Sequence, residues 1–254
     1  MRSTTPARTT SWLLLAILIL AGLPATNARE PLPMNTSPRN EMPALASLSP
    51  RQQALVPIAA FAASGNLERL KPALHAGLDA GLSISEVREV LLQLYAYAGF
   101  PRSLNALGQL MEVVQARAAR GLHDDPGRQP STAAPQGEVL LKVGTDNQTR
   151  LAGAPVAGPL FDFAPEANTY LRTHLFGDLF VRDNLDWQSR ELATLSLLSM
   201  IEGAEAQVFA HIGMSMNIGV EQGALAELAD TLEARVDAVP AQRVRQALQR
   251  KMQP

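Results

Sequence analysis

The sequence predicts an all-α protein: two diverged helical units packed together. Three observations carry this. Apolar residues recur at three- and four-residue spacing through most of the chain. Capping residues and glycines punctuate those runs where helices start and stop. The order helix, Gly turn, helix, Gly stop, helix also occurs twice.

The first segment stands outside the fold. Arg2 and Arg8 give a positive start, Trp12 to Leu23 form an uncharged apolar run, and Pro24 breaks it before the small residues Thr26-Asn27-Ala28. This is the pattern of a signal peptide over 1–28, cleaved near Ala28. The run is shorter than the ~20 residues a membrane span needs, and no cysteine follows it to carry a lipid. The expected product is exported, periplasmic or secreted, with no stable membrane anchor after cleavage. Residues 29–47, rich in Pro, Asn, Ser and Glu, read as a flexible leader.

The first helical unit is expected over 48–120. Ser49 is a good N-cap and Pro50 suits the first helical position. That helix runs to Ala63, through Pro57, and stops at Ser64-Gly65. A second starts at Asn66, with Leu67, Leu70, Leu74 and Leu78 at helical spacing, and ends by Gly81. Ser83 and Glu86 form a capping box for a third, striped by Val87, Leu91 and Leu94. Gly99-Phe100-Pro101 interrupts it, and a fourth runs from Arg102 to about Ala119. Residues 121–159 change character: Pro, Gly and Thr dominate, and Glu138 to Val143 is a short strand or nothing regular. We read the stretch as a linker strap.

The second unit is expected over 160–254. Its helices run from Pro165 to about His174, from a cap at Asn184 or Asp186 to Ile201, and from Ala204 to Ile218. Two more run from about Glu221 to Arg235 and from Pro240 to Met252. Laid over the first unit, Arg190 falls on Arg51, Gly219 on Gly81, Glu227 on Glu89 and His211 on Ala73.

Composition excludes several functions. The net charge of −2 gives no broad basic face, so no nucleic acid is expected. With no cysteine in the sequence, thiolate nucleophiles, thiol redox cycling, haem attachment and cysteine metal sites all drop out. His75, His123, His174 and His211 form no metal-ligand spacing, so no metal and no cofactor is expected.

The run Tyr95-Ala96-Tyr97-Ala98-Gly99-Phe100-Pro101-Arg102-Ser103-Leu104-Asn105-Ala106 resembles the hallmark of carboxymuconolactone decarboxylase-like proteins. Ala80-Gly81-Leu82 and Glu86-Val87-Arg88-Glu89-Val90 fit the same pattern. In the second unit Arg190 to Thr194, His211 and Asn217 to Val220 look like its histidine-bearing hairpin. The resemblance implies an all-helical fold, a small-molecule substrate and a homo-oligomer. It also implies one of two chemistries: decarboxylation of a lactone carboxylate by acid/base groups, or alkylhydroperoxidase D-like thiol peroxidation. The second needs Cys-x-x-Cys, and Ala204 and Gln207 stand at those positions. A peroxiredoxin-type activity is therefore not expected.

Two groups of candidate residues follow. His211, with Glu191, is the catalytic pair the resemblance implies, because imidazole exchanges protons near neutral pH. The alternative for His211 is a hydrogen-bonded interface histidine, and for Glu191 a carboxylate favoured by its helix's N-terminus. Counted from the turn at Gly203, the two are offset by roughly 6 Å along the hairpin, which predicts a meeting only through water, substrate or another chain. Arg102 and Asn105 are candidates for holding a substrate carboxylate, and Tyr97 and Trp187 for lining a pocket. Tyr95 is expected to be more buried than Tyr97, and His75 to lie at the surface.

Overall fold

The computed structural model describes residues 42–253. The expected signal peptide and most of the expected leader lie outside the described residues. Two helices form the centre. The first, α1 (Pro50–Ser64), is buried without interruption from Ala54 to Ala63. The second, α9 (Trp187–Ser199), is buried from Gln188 to Ser199. Over these stretches neither exposes a face to solvent, as befits helices surrounded by protein, and they pack on each other. Alanines 54, 59, 60, 62 and 63 make α1 slim enough for this close packing.

The first half surrounds α1. Ser49 and Gln52 make a capping box at its start, and Gly65 closes it with a left-handed backbone. Next come α2 (Leu67–Asp79), capped by Asn66, and α3 (Ile84–Gln93), capped by Ser83 with Glu86. The hallmark corner is a single helical turn, α4 (Tyr95–Ala98), ended by Gly99 at φ 81°, after which α5 (Phe100–Ala119) runs.

The expected strap is not a strap throughout. It contains a helix, α6 (Gly137–Ala152), covering the stretch expected as a strand or irregular. Two short helices follow, α7 (Pro159–Phe163) and α8 (Pro165–Tyr170). The second continues into a π-helix, π1 (Leu171–Leu179), longer than the helix expected to end near His174. α6 packs on π1, and Gly144 makes that contact possible: a Cβ there would overlap the carbonyl oxygen of Arg172.

The second half completes the bundle with α10 (Glu205–Asn217), α11 (Gln222–Arg235) and α12 (Ala238–Met252), all close to the expected limits. The expected leader also needs correction at its described end. Leu45 pairs with the 219–221 segment through backbone hydrogen bonds, and the Gln188 amide donates to the Pro43 carbonyl. Polar backbone that reaches a helical bundle has to find partners, and here the turn after α10 supplies them. No helix among the described residues is long and apolar enough to cross a membrane.

Candidate functional site

Glu191 and His211 meet directly. The His211 Nδ1 lies 2.8 Å from Glu191 Oε2, with Glu191 fully buried and the imidazole side chain 8% exposed. This corrects the expectation that they would need a mediator. The hairpin turns through Met200–Ala204 rather than at Gly203 alone. Glu191 lies eight residues before the end of α9 and His211 six residues after the start of α10. The remaining offset is about 3 Å, within reach of a glutamate side chain.

The electrostatics of the pair fix a direction. A buried carboxylate facing Nδ1 favours the proton on that nitrogen, which leaves the lone pair on Nε2. No described residue hydrogen-bonds Nε2. The other Glu191 oxygen, Oε1, is buried without a hydrogen-bond partner, and so is the hydroxyl of Ser215, one helical turn beyond His211.

Tyr97 completes the group. Its ring stands edge-on to the imidazole, with centroids 5.8 Å apart and planes at 71°. Its hydroxyl is buried and lacks a hydrogen-bond partner. Burial, and then the Glu191 charge, push that phenol well above its ordinary range; Thr194 and Arg190 oppose the shift without cancelling it. Tyr97 is thus held as a neutral phenol at neutral pH, able to donate a hydrogen bond but a weaker acid than an ordinary tyrosine. The expected contrast in burial is absent, because both tyrosines are half-buried: Tyr95 stacks on Phe100 at 4.6 Å, while Tyr97 turns its hydroxyl inward.

The other expected residues are elsewhere. Arg102 and Asn105 are exposed on α5, and no side-chain hydrogen bond or ion pair joins either to a described residue. Trp187 is half-buried at the start of α9, donates to the Phe180 carbonyl and carries the Arg150 guanidinium over its ring at 4.9 Å. It pins the π1 end to α9. His75 is also not a plain surface residue: its Nδ1 lies 3.5 Å from Arg117, which is clamped by Asp124 and Asp79.

Beside the pair runs a buried charge network that the sequence reading did not single out. Arg190 and Glu89, both fully buried, form an ion pair at 2.8 Å; Arg182 and Asn184 also bond Glu89. Gln93 accepts from Arg190 Nη1, and its amide donates to the Arg190 carbonyl and to Thr194. Burial works to raise the Glu89 carboxyl, but Arg182, Arg190 and Asn184 outweigh it and hold the group below its ordinary range. A signal was present: Ser85, Glu89 and Gln93 recur every four residues, a polar stripe on one face of α3.

Among the described residues, no group of three or more histidine or acidic side chains could hold a metal ion. The site therefore comprises a buried carboxylate–imidazole pair, a neutral phenol against it and a paired arginine behind it, set in an all-helical bundle. Residues 40–112 match the profile of the carboxymuconolactone decarboxylase family. The match spans α1 to most of α5, including the Tyr97 corner, and does not extend to Glu191 or His211. No curated protein matches the chain.

Proposed function

We propose that this protein turns over a small molecule, a lactone or carboxylate, by cysteine-free acid/base chemistry with His211 as the proton-transfer group. The 2.8 Å contact between Glu191 and His211 carries the reading. In this scheme Glu191 holds the imidazole as the Nδ1–H tautomer, and Nε2 takes a proton from the substrate and later returns it. Tyr97 supplies a neutral hydroxyl against the same ring. Nothing at Arg102 or Asn105 supports the expected carboxylate grip, since both stand apart on the surface of α5. Thiol peroxidation has no place in the scheme, because the sequence contains no cysteine.

The test is turnover of a panel of small lactones and carboxylates by the wild-type chain and by His211→Gln. The expected result is a loss of roughly 10²–10⁴-fold in the variant, with helical content unchanged. Equal rates in the two proteins would sink the assignment. A second reading, a binding or assembly protein that keeps the fold without a reaction, is favoured by the imidazole's near-complete burial. It predicts that His211→Gln loses stability and that neither protein turns over any member of the panel.

A further inference from the structure

A cavity of about 280 Å³ opens between α1, α2 and the C-terminal end of α11, and it shares no residue with the His211 site. Pro57, Phe61, Pro72, Ala73 and Ala76 give it apolar walls. Arg69 and Arg235 are its two charged residues, and no carboxylate lines it. Arg69 is held in place. Its guanidinium lies 4.3 Å from the Phe61 ring centroid, and its Nη2 donates to the Val236 carbonyl at 2.9 Å and to the Arg235 carbonyl at 3.4 Å. Its Nε and Nη1 have no partner among the described residues. The Arg235 side chain is exposed, and no described residue hydrogen-bonds or ion-pairs with it.

The overlay of the two helical units accounts for the open space. In the register that sets Gly219 on Gly81 and Glu227 on Glu89, His211 falls on Ala73 and Arg235 falls on Tyr97. Tyr97 of the first half meets His211 of the second, ring against ring at 5.8 Å. The exchanged pair, Arg235 of the second half and Ala73 of the first, line this cavity together. The glutamates follow the same exchange. Glu89 on α3 reaches Arg190 near the start of α9, and Glu227 on α11 accepts from the Leu48 N–H just before α1. The cavity thus stands where the Tyr97–His211 contact would recur. A methyl group replaces the imidazole and leaves its space empty, and a guanidinium replaces the phenol and brings a positive charge.

We infer that this cavity binds a small carboxylate with a flat apolar body, of which an aromatic monocarboxylate is the simplest. Two guanidinium groups with N–H donors to spare match the two oxygens of a carboxylate. Phe61, two prolines and two alanines give its ring an apolar bed, which an inorganic anion would leave unused. Arginine keeps its proton, and no other lining residue titrates, so the site binds and does not react. This inference does not rest on proton transfer at His211.

The test is calorimetric titration of the full-length chain with benzoate, at neutral pH and low salt. One site is expected, with a Kd on the order of a millimolar. Benzamide, the uncharged isostere, should bind roughly tenfold more weakly or worse. Arg235→Gln should lose roughly tenfold in affinity and keep its helical circular dichroism, since that side chain has no structural partner to lose. Ala76→Phe, a change at an exposed position, should fill the cavity and abolish binding. His211→Gln should bind benzoate as the wild type does. Absence of binding up to roughly tenfold above the expected Kd overturns the proposal. So does binding that survives both Arg235→Gln and Ala76→Phe, or binding lost in His211→Gln, which puts the ligand at the other site. Inorganic phosphate that competes with benzoate on equal terms would mean that charge alone is recognised, and overturns it equally.

Discussion

At the scale of single residues, two features of the site differ in how readable they were. His211 and Glu191 were recognisable as chemistry-bearing residues, but their contact was not, because it depends on where two helices end. Counting from Gly203 treated the turn as one residue; the actual turn of several residues removes about half of the offset. Tyr97 was recognisable as part of a conspicuous corner, but nothing in the run distinguishes it from Tyr95 in burial. Its buried hydroxyl yields a prediction. A polar group taken out of water without a partner costs roughly 1–3 kcal/mol, so Tyr97→Phe should stabilise the fold by about 1 kcal/mol. For a chain of this size that corresponds to about 2–4 °C in the melting temperature. Thermal unfolding followed by circular dichroism reads this directly. A lowered melting temperature would mean that the hydroxyl has a partner, such as a bound water, and that it belongs to a hydrogen-bonded site.

At the scale of elements, helices marked by a cap or by a clear apolar stripe were legible, including the uncapped α10 and α11, and a helix with neither was not. Ser49, Asn66, Ser83 and Asp186 all accept from their helices' first turns, and the helices they open start within a residue of where the sequence places them. In contrast, α6 has no side-chain cap, and its buried positions are Gly144, Gln148 and Leu151. These are spaced as a helix face should be, but glycine and glutamine hide the apolar periodicity. The glycine is there for contact. With Gly144 lacking a side chain, the Arg172 carbonyl of π1 sits directly against the α6 backbone. The π-helical turn has its own tight position at Gly177, where an added Cβ would press on Leu140 of α6. Gly144→Ala should therefore destabilise by at least about 2 kcal/mol, since the obstructing atom is backbone and cannot rotate away. Limited proteolysis should then cut first within 137–180, the segment that α6 and π1 hold together. If Gly144→Ala leaves both stability and cleavage pattern unchanged, the close approach of α6 to π1 is not what holds this segment.

At the scale of the whole molecule, the two halves are joined through a buried charge network as well as through the α1–α9 packing. Glu89 on α3 is held by Arg190 on α9 and by Arg182 just before it, so the ion pairs cross from the first half to the second. Removing one member of such a set leaves the other charge buried and uncompensated, which costs about 3–5 kcal/mol. Glu89→Gln keeps the shape and one acceptor oxygen but loses the charge, so at neutral pH it should fall at the low end, about 3 kcal/mol. The pH dependence gives a sharper check. The folded protein holds Glu89 below its ordinary range, so the unfolded chain takes up the proton first as pH falls. The stabilisation is present in full above the ordinary carboxylate range. It declines as pH drops below that range and is gone once pH passes the depressed folded value. Gln at position 89 cannot titrate, while every other carboxylate is common to both proteins. The difference in melting temperature between wild type and Glu89→Gln should therefore be widest near neutrality and should narrow steadily below about pH 4.5. A difference that stays constant down to the lowest pH at which both proteins fold would show that Glu89 contributes shape and packing, and that its charge does not hold the halves together.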